Sequence, residues 1–280
     1  MTLSAATTSN SGAIVADSGS SITVTGTTTN TGSGTITADG GSVTLAAITN
    51  NSAITADSGG NVTVTGTTAN NASGTITADG GNVTLSGATT NKGIITAYGG
   101  GNVTLSGNAT NTGTIEAGNA ALGGDVIFGG NLSNTGALQI YSASEINLDG
   151  ISNNGTISFE NNSGDTGVLA LAHSTTFKGT VAGFEYDGSN SDTLDLQDIA
   201  FTSSVTSWSF TENKSTTAPG GTLTVTDGKN GPAANILLLG QYLAAGATAS
   251  SAARSALFQI TADDITGTTG ISVTTSFHPS

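Results

Sequence analysis

The chain has 280 residues and a formal net charge of -14, and its five cations are Lys92, Lys178, Lys214, Lys229 and Arg254. Five scattered cations cannot form the basic footprint that nucleic acid or an anionic membrane surface requires, and no apolar run approaches the roughly 20 residues that span a bilayer. Cysteine is absent, which excludes disulfides and thiolate metal sites, while recurrent Thr, Val and Ile with sparse charge favour strands over disorder.

Met1 is followed by Thr-Leu-Ser-Ala-Ala, without the basic and apolar stretches of a cleaved export signal. Repetition begins almost at once. Residues 31–50 (TGSGTITADGGSVTLAAITN) and 71–90 (NASGTITADGGNVTLSGATT) are near-copies, and 11–30 resembles 51–70 in the same way. A fixed period of this size is the mark of a solenoid, whose repeats bury their apolar faces only against their neighbours. Asparagine keeps the beat at Asn10, Asn30, Asn50, Asn70, Asn91, Asn111, Asn134 and Asn153. One apolar series runs Ile22, Val43, Val62, Val83, Val103, Val126, Ile146 and Val168. A second, two residues on, runs Val24, Leu45, Val64, Leu85, Leu105, Phe128 and Leu148. A shorter apolar segment around Ile14, Ile36, Ile54, Ile76, Ile95 and Ile115 precedes each pair.

Alternation at period two, with Thr between the apolar positions and Gly, Asn and Asp at the turns, predicts short strands rather than helices. The expected fold is all-β: a parallel β-helix of about eight coils, about 20 residues per coil, forming a rod on the order of 40 Å long. Asparagine repeated at one position of every coil suits a hydrogen-bonded amide ladder along the axis. It also suits left-handed turn geometry, and the two roles are compatible.

Near residue 164 the beat fades, and all three prolines and the only Trp lie beyond that point. The sequence therefore divides into solenoid repeats over 1–163 and a β-rich C-terminal region over 164–280. Strand-like runs fall at 167–172, 193–199, 205–211, 222–226 and 235–239. The Ala-rich stretch 241–256 is a candidate for one short helix.

The repeats of 10–163 resemble the β-helix stalks of bacterial surface proteins such as filamentous-haemagglutinin-like adhesins and autotransporter passengers. Phe177-Lys-Gly-Thr-Val-Ala-Gly-Phe184, Asp192-Thr-Leu-Asp-Leu-Gln-Asp-Ile199, Gly220-Gly-Thr-Leu-Thr-Val-Thr-Asp-Gly228 and Leu239-Gly-Gln-Tyr242 are similar to the ends of long secreted repeat proteins of alphaproteobacteria. That resemblance implies one-step type I secretion with an uncleaved C-terminal signal, and so an extracellular or cell-surface location. The nonapeptide calcium repeat of many such substrates does not occur here, so calcium-driven folding is not carried over.

Two groups of carboxylates are candidate calcium ligands. Asp17, Asp39, Asp57 and Asp79 occupy equivalent repeat positions, with Tyr98 at the next. Stacked one coil apart, like charges about 5 Å from each other repel, and a hard cation among carboxylate and carbonyl oxygens relieves this. Asp-Gly is equally a turn dipeptide whose carboxylates splay into water, which is the preferred reading, and the alternating 22- and 18-residue spacing suggests imperfect stacking. Asp192, Asp195 and Asp198 are spaced by three. They form either a metal site or a structural strand and turn.

Catalysis is not expected. A lyase would want a basic residue beside a carboxylate cluster, and Lys92 is the only one before Lys178. No nucleophile elbow or zinc signature is present, and no cofactor other than calcium is implied. The expected function is that of an extracellular structural protein, a β-solenoid subunit of a surface filament, sheath or matrix. Its partner would be a second copy docked head to tail, with residues 271–277 (ISVTTSF) as the candidate docking strand. The alternatives are an adhesin for a glycan or host surface, which exposed terminal aromatics would favour, and a polysaccharide-active β-helix enzyme.

Overall fold

A computed structural model describes residues 1–150, 152, 153, 155–160, 166–186, 191–215, 217–228, 231–243, 246–251, 257–262 and 270–275. The chain winds into a parallel β-solenoid of about nine turns of about 21 residues. One inner coil shows the plan, with strands Ala53–Asp57, Asn61–Val64 and Thr68–Asn70. The corner between the first two is turned by Ser58 and Gly59, both in the left-handed region (φ 53° and 79°). Thr75–Asp79, Asn82–Leu85 and Thr89–Asn91 repeat this directly beneath, residue for residue. Strands equivalent to Ala53–Asp57 build one sheet; those equivalent to Asn61–Val64 and Thr68–Asn70 build the other.

The inward columns are those the alternation predicts. Val24, Leu45, Val64, Leu85, Leu105, Phe128 and Leu148 pair in register and continue into Leu171 and Leu196. All nine are buried. The Ile36, Ile54, Ile76, Ile95 and Ile115 column on the opposite sheet is buried as well. Beside it runs a column of buried alanines from Ala16 to Ala117, which widens to Ile140 and Phe159 as the rod approaches its C-terminal end.

One position of the first apolar series is shifted. Ile146 pairs with Leu169, and Val168 stands opposite Glu145, half-exposed on the outer surface. Val168-Leu-Ala-Leu171 is apolar throughout, so alternation cannot choose its inward face. A second difference lies at the start. Thr2–Leu3 and Thr7–Asn10 are strands paired to Ser21–Asn30, so the Ser- and Thr-rich residues before Ile14 already form part of a coil.

Parallel pairing continues past residue 163 through Val168–Leu171, Thr180–Ala182 and Thr193–Leu196. It then gives way to antiparallel pairing. Ile271–Thr275 pairs with Thr193–Leu196 on one side and Phe258–Ala262 on the other. On the second sheet Ala233–Leu239 still pairs in parallel with Thr180–Ala182, and Gly220–Thr226, Ser207–Glu212 and Thr248–Ser250 then add successive antiparallel strands. Thr248–Ser250 thus places a strand within the stretch considered for a helix; residues 244, 245 and 252–256 lie outside the described residues.

The aromatic side chains of this terminal region fill its core. Phe258 stacks on Phe184 (6.4 Å between ring centroids), and Trp208 meets it edge-on at 5.2 Å. The Tyr242 hydroxyl donates to the Phe184 carbonyl (2.6 Å), which ties the added strands to the last coil. The buried Glu212 carboxylate accepts the backbone N–H groups of Gly220, Tyr242 and Leu243 at 2.9–3.0 Å.

Candidate functional site

The asparagine beat is an internal amide ladder. Asn10 Nδ2 donates to Asn30 Oδ1 at 2.9 Å, and the same bond recurs from Asn30 to Asn50, Asn50 to Asn70, Asn70 to Asn91, Asn91 to Asn111 and Asn111 to Asn134. Each Nδ2 also reaches backbone carbonyls, as Asn50 does to Ser52 (2.9 Å) and Thr75 (3.0 Å). The turn after each amide is tight. A Cβ on Gly74 would stand 2.3 Å from Asn70 Oδ1 and 2.6 Å from the Asn50 carbonyl oxygen, so only glycine fits there. Every ladder bond points the same way, with donors toward the C-terminal end. The ladder therefore has a polarity, and its N-terminal member presents an acceptor.

The carboxylates considered for calcium are placed as follows. Asp39, Asp57 and Asp79 are register partners in one column, with Asp17 heading it after Ala16 and Tyr98 following Asp79. The uneven spacing is absorbed at the corners, so it does not disturb the stack. Thr35 and Ala53 are partners, as are Asn30 and Asn50, yet the turns joining them differ by two residues. Asp17 and Asp39 are exposed and Asp57 and Asp79 half-exposed. Ser58 Oγ donates to Asp57 Oδ1 at 3.2 Å. At the foot of the column, partial burial pushes the Tyr98 hydroxyl above its ordinary value, and the Asp79 charge and its hydrogen bond with Asp79 push it the same way.

Asp192, Asp195 and Asp198 are not brought together around one point. Buried Asp192 accepts the Gly167 N–H (3.3 Å) and the Glu185 N–H (3.1 Å). Buried Asp195 accepts Gln197 Nε2 at 2.9 Å. Asp198 accepts the N–H of Ser174 (2.9 Å) and both donors of Thr175 (3.1 and 2.8 Å), with a further short bond from the Ser174 hydroxyl, and so holds the 3-10 turn Ser174–Thr176. Burial raises the Asp198 carboxyl, but these four bonds outweigh it and hold the group below its ordinary value. Among the described residues no group of three or more His, Asp or Glu is arranged to hold a metal ion.

Two of the rod's other acids, Asp125 and Glu145, stand as a pair on the outer surface. Asp125 Oδ1 accepts the Glu145 N–H at 3.0 Å, one coil away. Burial raises both carboxyls, and for Glu145 the Asp125 charge adds to the effect.

The N-terminal face is the most open part of the rod. Thr2–Leu3 and Thr7–Asn10 pair only with Ser21–Asn30, and Ala13–Ala16 pairs only with Thr35–Asp39, so among the described residues their outer edges carry no strand. Met1, Leu3, Ala13, Ile14, Val15 and Ile22 line a hollow of about 300 Å³ there. Met1 is 75% exposed and Val15 45%. No family model, no curated protein and no solved structure matches the chain.

The strand expected to dock on this face does not present a free edge. Ile271–Thr275 is hydrogen-bonded along both sides, to Thr193–Leu196 and to Phe258–Ala262; residues 276 and 277 lie outside the described residues. Among the described residues the edge strand of that sheet is Phe258–Ala262.

A second hollow of about 580 Å³ lies in the terminal region, lined among the described residues by Ser204, Val205, Ser207, Thr226 and Gly228. No acid or base is among them. Of the terminal aromatic residues among those described, Phe177, Phe184, Trp208, Phe210, Tyr242 and Phe258 are buried, and Tyr186 and Phe201 are half-exposed.

Proposed function

We propose that the chain is an extracellular structural protein, a β-solenoid subunit that stacks end to end into a surface filament, sheath or matrix. The observation that carries this reading is the N-terminal face: open strand edges around a 300 Å³ apolar hollow. An edge of this kind is a template for another strand, and natural solenoids protect it with a polar or helical cap or with charge. Residues 1–16 themselves carry no charged side chain. The rest of the surface carries the net charge of -14, which opposes lateral clumping and leaves the ends as the favourable contact. An adhesin is less well supported, because most of the terminal aromatics among the described residues are spent on the core.

Ile14→Lys tests this reading, since Ile14 lines the hollow and is only partly buried. Light scattering and negative-stain electron microscopy should show wild-type rods lengthening with concentration and Ile14→Lys rods staying single, with circular dichroism confirming that the variant is folded. Wild-type protein that stays monomeric at high concentration, with and without calcium, would overturn the proposal.

A further inference from the structure

The two ends match each other in register, and this deepens the end-to-end reading on which it rests. Ile271–Thr275 runs antiparallel to the last coil and Phe258–Ala262 antiparallel to Ile271–Thr275. Two reversals restore the original sense, so the C-terminal edge strand runs parallel to the strands of the rod.

Its inward side chains also continue the rod's columns. The column through Val43, Val62 and Ile146 passes to Leu169, Leu194, Val273 and Ile260. The neighbouring column, which begins at Leu3 over Val24, passes through Leu196 and Ile271 to Ala262. Leu3 and Ile22 at one end and Ile260 at the other are only partly buried. Each end thus offers a half-covered apolar step, with the same pair of columns and the same strand direction.

The amide ladder distinguishes the ways two copies can meet. Asn10 is 7% exposed, and its Oδ1 takes only the Gly12 N–H at 3.3 Å. Asn50 Oδ1 takes the equivalent Ser52 N–H (3.4 Å) and the Asn30 amide (2.9 Å) as well. The N-terminal face therefore holds a nearly buried acceptor with room for a donor. Two such faces brought together would set acceptor against acceptor, which disfavours a head-to-head joint.

We infer that copies of this chain stack head to tail, with Phe258–Ala262 of one copy pairing in parallel with the Thr2–Leu3 edge of the next, so that Ile260 seats over Met1 and Ile22 and Ala262 over Leu3. This contact is heterologous and does not close, so it propagates along the rod axis. It leaves the second sheet to meet antiparallel, because Thr248–Ser250 runs opposite to Ala13–Ala16.

The absence of native cysteine makes the test direct. Thr2 and Thr261 are exposed and belong to one outward column, through Thr23, Asp195 and Ser272. Across the proposed joint their Cα atoms would stand about one strand spacing apart, ~4.8 Å, within disulfide reach. Thr2→Cys and Thr261→Cys are prepared separately, mixed, oxidised mildly and read by non-reducing electrophoresis and mass spectrometry, with Thr63→Cys from mid-rod as control. The mixed Thr2–Thr261 disulfide should be the main dimer, and the control should form none with either variant. Dominant Thr2–Thr2 or Thr261–Thr261 dimers would overturn the head-to-tail contact while leaving end-to-end assembly standing. Filaments without any of these disulfides would also overturn it. Monomers in light scattering would overturn both this contact and the function proposed above.

Discussion

Replacing Asn70 with alanine cuts the amide ladder in mid-rod, and its cost can be worked bond by bond. Asn70 Oδ1 accepts the Asn50 amide at 2.8 Å, and its Nδ2 donates to Asn91 Oδ1 (2.8 Å), the Gly74 carbonyl (3.2 Å) and the Ile94 carbonyl (3.1 Å). Not every partner is stranded by the change. Asn50 Nδ2 keeps the Ser52 and Thr75 carbonyls, and the Gly74 carbonyl keeps the Ile94 N–H at 3.0 Å. Asn91 Oδ1, in a residue 1% exposed, loses its ladder donor in the interior. An orphaned buried acceptor costs about 1–3 kcal/mol and each of the three other broken bonds about 1 kcal/mol net, so the total loss should be about 4–6 kcal/mol. The neighbouring residue is the control. Asn71 makes one half-exposed bond, to Asn51 Oδ1 at 2.7 Å, and Asn71→Ala should cost under about 1 kcal/mol. Urea denaturation followed by circular dichroism compares the two at one protein concentration. If Asn70→Ala lowers the midpoint no more than Asn71→Ala does, the ladder adds nothing beyond turn geometry and the reasoning fails.

Three further outcomes follow from single positions. The Thr68 hydroxyl is buried without a hydrogen-bond partner, in a column that holds Ile48 one coil before, so the isosteric Thr68→Val should raise stability by about 1 kcal/mol; a loss in thermal unfolding would mean the hydroxyl has a partner. Burial and the Asp125 charge raise the Glu145 carboxyl above 4.5, so the folded state takes up its proton before the unfolded state does, and stability should rise as pH falls from neutral toward that window. Glu145→Gln should flatten the rise and stabilise the rod at neutral pH, and a urea-midpoint profile identical to wild type would refute this. Asp39 is exposed and Asp57 half-exposed in the carboxylate column, so the melting temperature should be the same in millimolar Ca²⁺ and in chelator; a calcium-dependent rise removed by Asp39→Asn with Asp57→Asn would instead assign the column to a cation.

The inward columns were legible because each coil repeats the same test of period two. Val43, Val62, Val83 and Val103 alternate with Thr or stand beside it, and only one face of such a strand can be buried. Where alternation lapsed, so did the reading: Val168 was placed where Leu169 sits, since neither neighbour is polar. Residues 2–10 were missed because Thr2–Leu3 and Thr7–Asn10 carry almost no apolar signal and owe their strand form to the edge of Ser21–Asn30 beside them. The C-terminal strands were visible as runs, but their direction was not. Antiparallel return of Ile271–Thr275 depends on contacts made with residues some 80 positions away, which no local pattern encodes.

The three aspartates of 192–198 show why spacing alone is a weak guide to a site. On a strand, residues three apart point to opposite faces, so ligands at that interval converge only if the backbone turns between them. Here Thr193–Leu196 is extended, and the chain turns only after it. Asp192 precedes the strand and reaches back to the N–H groups of Gly167 and Glu185; Asp195 lies on the outward face beside Gln197; Asp198 follows the turn and closes on Ser174 and Thr175. Each carboxylate thus meets its own donors rather than a shared cation, and such bonds are what make the buried Asp192 and Asp195 tolerable. In the uneven Asp17 to Asp79 series spacing did mislead. Its irregular spacing suggested misalignment, yet the register is kept because corners, unlike strands, absorb insertions without turning any side chain over. In a solenoid, distance along the sequence is therefore a poor guide to ligand geometry, and the coil position of a residue is a good one.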